Sequence, residues 1–113
     1  MIQVDYGESF KRQLKRLAKR YRHIKQDLAP IIAALEAGGM PGDQVVGTDY
    51  TLYKVRAKNS DSNKGKSGGY RIIYYVVTDT RRILVTIYSK SDQGDIGSSV
   101  LNQLLAEINE ETI

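Results

Sequence analysis

The sequence predicts an α+β fold, and three features of its 113 residues carry that expectation. Apolar residues recur at helical spacing from Phe10 to Leu35. From Tyr50 onward the period changes to two. The strands of that second half follow one another closely, one pair through a tight turn at Asp79-Thr80-Arg81, so they belong side by side in an antiparallel meander. One domain spanning residues 1–113 is expected, because a chain of this length buries a real core but is too short for two.

Each element has its own local reason. Ile2-Gln-Val4-Asp-Tyr6 alternates and reads as an N-terminal strand. In "ESFKRQLKRLAKRY" the residues Phe10, Leu14, Leu17 and Tyr21 are spaced by four, three and four, which is one face of an amphipathic helix. A second stripe of Ile24, Leu28, Ile31, Ile32 and Leu35 completes a helical hairpin. Pro30 either kinks that second helix or sits in the first turn of a shorter one capped by Asp27. Gly38-Gly39-Met40-Pro41-Gly42 ends it. "TLYKVRAK" places Leu52, Lys54, Arg56 and Lys58 on one face of a strand and Tyr53, Val55 and Ala57 on the other. "YRIIYYVV" is apolar nearly throughout and reads as a central strand, and "ILVTIYSK" is a third. Ser98 or Ser99 then caps a short C-terminal helix bearing Leu101, Leu104, Leu105 and Ile108. The sheet is expected to pack one face under the helical pair through Phe10, Leu14, Leu17 and Ile31. Its other face is left to the Lys54/Arg56 row.

Composition narrows the chemistry. There is no cysteine and one histidine, so disulfides, thiolate catalysis and a cysteine zinc site are excluded and a histidine metal site is disfavoured. No apolar run approaches the roughly 20 residues of a membrane helix. The charged start does not read as a signal peptide, so a cytoplasmic protein is expected.

The net charge is +4, but its distribution is uneven. Eight of the 17 Lys and Arg residues lie between Lys11 and Lys25, and the rest between Lys54 and Lys90. Beyond Ser91 the charges are Asp92, Asp95, Glu107, Glu110 and Glu111. A basic body suggests a polyanionic partner. The first helix carries Lys11, Arg12, Lys15, Arg16, Lys19 and Arg20, and like charges at i, i+4 repel one another, so stability alone does not favour that stripe.

Gly65-Lys66-Ser67 looks like the end of a phosphate-binding Walker loop. That motif needs a glycine five positions before the lysine and a helix after it. Here Asp61 holds the position and a strand follows. Residues 59–69 therefore read as a lysine-bearing connection between two strands. Arg71 then sits two residues into the most apolar segment of the chain, where an unpaired charge costs several kcal/mol in desolvation. Either it pairs with Asp92 or Asp95, or it opens onto a cleft floored by Lys54 and Arg56. Such a cluster attracts an anion, and phosphate suits the bidentate fork of arginine.

At these residues the chain resembles a known family. "FKRQLKRLAKRYRHIKQDL", "LYKVRAKNSDSNKGKSGGYRIIYYV" and "ILVTIYSKSDQGDI" are together similar to toxins of the RelE/ParE superfamily, above all the RelE and HigB-like branch of bacterial type II toxin–antitoxin modules. The resemblance covers essentially the whole chain and implies a RelE-like fold. It also implies a ribosome-dependent messenger-RNA endonuclease that inhibits translation and is neutralised by a cognate antitoxin in a hetero-oligomer. Catalytic positions would fall on Lys54, Arg56, Arg71 and Lys90. RNA or ribosome contacts would fall on Lys64 and Lys66 and on the Lys11, Arg12, Lys15, Arg16, Lys19 and Arg20 stripe. In one respect the chain departs from the family: Asp95-Ile96 stands where many ribosome-dependent members have a tyrosine near the start of the last helix.

Cleavage of RNA through its own 2′-hydroxyl needs a base, stabilisation of a crowded phosphorane and an acid. His23 is alone on the helical pair and reads as a surface histidine. Lysines serve where like charges crowd them, and Lys54 is the best-placed candidate. Arg56 and Arg71 would hold developing negative charge, and no metal or other cofactor is called for. Two alternatives share the sequence features: a ParE-like poison of DNA gyrase with the same fold, and a non-catalytic RNA-binding module using the basic helix.

Overall fold

The two periodicities in the sequence fold into separate layers. The computed structural model describes residues 2–62 and 68–112, with side chains through residue 108. Along the chain come β1 (Gln3–Tyr6), α1 (Glu8–Ala18), α2 (Ile24–Glu36), β2 (Asp43–Val45), β3 (Leu52–Ala57), β4 (Tyr70–Thr78), β5 (Arg81–Ser89) and α3 (Ser98–Thr112). The strands form one sheet in the order β1-β5-β4-β3-β2. The fold is a small α+β arrangement.

The sheet is mixed, which corrects the expectation of a simple antiparallel meander. β3, β4 and β5 do pair antiparallel in sequence order. β1, however, runs parallel to β5, with Gln3 N–H donating to the Thr80 carbonyl and Arg81 Nε reaching Asp5 at 2.8 Å. β2 adds a further antiparallel edge strand beside β3. Its entry depends on Gly42, whose φ is +92°; a Cβ there would stand 2.3 Å from the Lys54 carbonyl oxygen.

α1 and α2 lie over one face of the sheet. Phe10, Leu17, Ile24, Leu28 and Leu35 are buried against Val55, Tyr70, Ile72, Tyr74 and Leu84, with Leu14 and Ile31 packed beside them as expected. Tyr74 stacks on Tyr53 and donates its hydroxyl to the Pro41 carbonyl at 2.6 Å, so the buried phenol is satisfied. Lys15 and Arg16 fall in the last turn of α1, where the helix dipole favours positive charge, which gives part of the basic stripe a local role.

α2 runs unbroken through Pro30, which lies on its exposed side. Asp27 does not cap it. Instead the Asp27 carboxylate accepts hydrogen bonds from the Ser60 backbone and hydroxyl, holding the chain that leaves β3.

The opposite sheet face is not left open, which is a second correction. α3 lies across it, burying Leu101, Leu105 and Ile108 against Leu52, Ile73, Ile83 and Val85. Each such side chain contributes about 1.5–3 kcal/mol. α3 begins at Ser98, and the first carbonyl to accept is that of Gly97, from Leu101 N–H, so neither serine holds the cap position. Among the described residues no helix is long and apolar enough to cross a membrane.

Candidate functional site

The strands bring their charges together at one end of the sheet face on which α3 packs, where Arg71 and Tyr88 are buried and Lys54 and Lys90 are partly exposed. Register does this directly. Arg56 on β3 stands opposite Arg71 on β4, and Arg71 stands opposite Tyr88 on β5, so the three occupy one cross-strand row on one face. Lys54 lies two residues along β3 on the same face. Lys90 follows the end of β5, and its backbone N–H donates to the Gly69 carbonyl at 3.0 Å. That glycine allows β4 to start close against β3, because a Cβ would meet the Ala57 carbonyl oxygen at 2.4 Å.

Arg71 is 6% exposed, and its Nη1 donates to the Tyr70 carbonyl at 3.3 Å. Neither carboxylate considered for it is its partner. Asp92 pairs with Arg20 at 2.8 Å, and Asp95 pairs with Lys54 at 3.3 Å and Lys90 at 3.2 Å. Among the described residues, no ion pair includes Arg71 or Arg56. Both line a cleft of about 720 Å³ together with Lys58, Asn59, Ser60 and Ser62. A buried guanidinium opening onto a cleft with Arg56 and Lys58 is the arrangement that attracts an anion.

The wall formed by residues 59–62 is pinned from behind. Asn59 is buried, and its Oδ1 accepts the Asp61 N–H at 3.0 Å. The Asp61 carboxylate accepts the His23 backbone N–H at 2.8 Å and meets His23 Nδ1 at 2.7 Å. The two hydrogen bonds with His23, side chain first, hold the Asp61 carboxyl below the usual carboxylate range. His23 is thus a surface histidine, as expected, with a defined structural task.

Lys54, Arg56, Arg71 and Lys90 therefore share one end of one sheet face. Lys64 and Lys66 lie outside the described residues. Arg12, Lys15 and Arg16 on α1 and Lys19 at its C-cap are exposed, and Lys11 is held 3.4 Å from Glu8 in an exposed pair. Arg20 lies beyond the last turn of α1, tied to Asp92 and stacked over Tyr21 at 4.9 Å. It braces the chain after β5 against the helical layer.

Tyr88, which sequence reasoning left without a role, joins the cluster, and so does Asp95, with other partners than the one considered for it. The Tyr88 hydroxyl donates to Asp95 Oδ1 at 3.4 Å. Burial raises the Tyr88 phenol first, and the Asp95 charge raises it further, so at neutral pH it is a proton donor. Hydrogen bonds from Lys90 and then Lys54, with their charges, hold the Asp95 carboxyl below its usual range. Asp95 is thus the carboxylate that the cluster itself holds in ion pairs. Among the described residues no three His, Cys, Asp or Glu side chains form a group suited to a metal ion. No protein-family model matches the chain.

Chemically, the site offers a paired guanidinium row, two lysines and a neutral phenol. These can bind a phosphate, hold charge that develops on it and supply a proton.

Proposed function

We propose that this protein is the toxin of a type II toxin–antitoxin module, an endoribonuclease of the RelE and HigB-like kind that cuts messenger RNA on the ribosome and so inhibits translation. The observation that carries the reading is the convergence of Lys54, Arg56, Arg71, Tyr88 and Lys90 at one end of one sheet face. A RelE-like reading of the fold belongs to the same proposal: two helices on one face, three consecutive antiparallel strands, and a last helix on the other face. The parallel β1 and the added β2 are accommodated at the sheet edges.

In this reading the 2′-hydroxyl of the RNA attacks the adjacent phosphorus while a lysine in its neutral amine form, Lys54 in the first instance, takes its proton and becomes the ammonium. Arg71 and Arg56 hold the phosphorane oxygens. Removal of one such donor costs on the order of 100-fold in rate. Tyr88 or Lys90 delivers a proton to the departing 5′-oxygen, with no metal in the scheme. The exposed Lys15, Arg16 and Lys19 contact ribosomal or messenger RNA. The cognate antitoxin silences the toxin by covering the Lys54 face or displacing α3.

The test is cleavage by the purified protein of message on programmed ribosomes, with supercoiling by DNA gyrase measured alongside. Cut message and unaffected gyrase support the reading. Intact message with inhibited gyrase would assign the protein to the ParE-like alternative, and binding without either effect to the RNA-binding module.

A further inference from the structure

The carboxylate of Asp95 stands where a phosphate oxygen would be expected. Its Oδ1 accepts Lys90 Nζ at 3.2 Å, Lys54 Nζ at 3.3 Å and the Tyr88 hydroxyl at 3.4 Å. Three donors, one on β3 and two at the end of β5, thus converge on a single oxygen. Yet the Asp95 side chain is 62% exposed, so the carboxylate is not built into the fold. It hangs from the segment that joins β5 to α3, anchored by Ile96 at the apolar layer under α3. Gly94 and Gly97 on either side face open space.

One carboxylate offsets one positive charge, and two lysines are drawn onto it. Arg56 and Arg71 stand in the neighbouring row with no carboxylate among the described residues. Among the described residues Asp95 is the only carboxylate in an ion pair with any of these four cations, and it arrives on a tether. Asp43 stands opposite Lys54 across the β2–β3 pair.

We propose that Asp95 is a tethered stand-in for substrate phosphate: it holds the anion seat formed by Lys54, Lys90 and the Tyr88 hydroxyl, and a phosphate group enters by displacing it. The proposal rests on the reading of the cluster as a phosphate site and adds a selectivity to it. A short tether holds its group at an effective concentration on the order of millimolar, so a lone phosphate competes poorly. A polyanion that places a neighbouring phosphate on Arg56 and Arg71 has the additional contacts needed to win the seat. The substrate is then a nucleic-acid strand and not a mononucleotide.

Titration of inorganic phosphate into the full chain, read at the side-chain resonances of Lys54 and Lys90, tests this without any cleavage step. Asp95→Asn should bind phosphate about tenfold tighter than the wild type, because the competing state is removed. Asp92→Asn makes the same charge change at the Arg20 pair and should alter binding by less than about twofold. Equal tightening by both variants would reduce the effect to general charge and overturn the proposal. So would unchanged affinity in Asp95→Asn, or no phosphate binding at these lysines in either protein. A protein that binds phosphate as expected but leaves RNA intact would refute the endonuclease reading and keep the seat. One that cuts RNA with an Asp95→Asn affinity like wild type would do the reverse.

Discussion

Replacing Arg71 by leucine separates a structural arginine from a functional one. Leucine keeps much of the buried volume of the side chain and removes the charge. The lost hydrogen bond to the Tyr70 carbonyl, at a long 3.3 Å, contributes about 1 kcal/mol. Against this, the variant no longer holds a guanidinium at 6% exposure beside Arg56, and desolvating an unpaired charge costs several kcal/mol. The balance predicts a protein as stable as the wild type or slightly more so. A thermal melt and single-turnover cleavage on the same preparation make the comparison. The melting temperature should hold or rise, while cleavage falls by about two orders of magnitude. Arg71→Lys should restore little, since a point charge lacks the two-pronged grip. A loss of about 3–5 kcal/mol on removing the guanidinium would mean that it neutralises a buried carboxylate. A well-folded Arg71→Leu protein that cuts at the wild-type rate would remove Arg71 from the site.

Three further outcomes are expected. Replacing Lys15, Arg16 and Lys19 together by Gln should weaken RNA or ribosome association and flatten its dependence on salt, while the saturated cleavage rate survives; a collapse of that rate would place the stripe in the active site. The His23–Asp61 clip should be sensitive to acid. Because the folded Asp61 carboxyl lies below the ordinary 3.8, the stability it contributes is present above that value and lost as pH falls through the lower folded one. A carboxyl NMR titration of Asp61 with its midpoint at or above 3.8 would contradict the clip. Gly42→Ala should destabilise the fold by about 2 kcal/mol or more in a denaturant melt, because the left-handed φ of +92° is joined to a 2.3 Å approach to the Lys54 carbonyl; an unchanged melt would show that β2 is not held at that distance.

Much of this site was legible in the sequence because strand register is. Counting outward from the turn between Thr78 and Arg81 pairs Arg71 with Tyr88, and the two irregularities along β4 and β5 compensate so that the pairing survives. The face assignments in "TLYKVRAK" likewise hold, with Lys54 and Arg56 on one side and Val55 and Ala57 on the other. The partners from distant stretches were not legible. β1 joins β5 in parallel from across the chain, and no local pattern specifies which strand it meets. β2 is three residues long, too short for a period to register. Asp95 lies in an irregular segment without periodicity, and only the folded positions of Lys54, Tyr88 and Lys90 bring it into the cluster. The Leu101, Leu105 and Ile108 stripe of α3 does not say which face of the sheet it covers.

The most direct measurement is single-turnover cleavage of a defined message on programmed ribosomes by the wild-type protein and its Lys54→Ala variant, with the fragment ends sequenced and their terminal phosphates identified. The wild type should cut within the ribosome-bound stretch and leave 2′,3′-cyclic phosphate ends, as attack by the 2′-hydroxyl requires, and Lys54→Ala should slow that step by about 100-fold or more. Uncut message at saturating wild-type protein, or cleavage that Lys54→Ala leaves at full rate, would contradict an RNA-cleaving site at this end of the sheet.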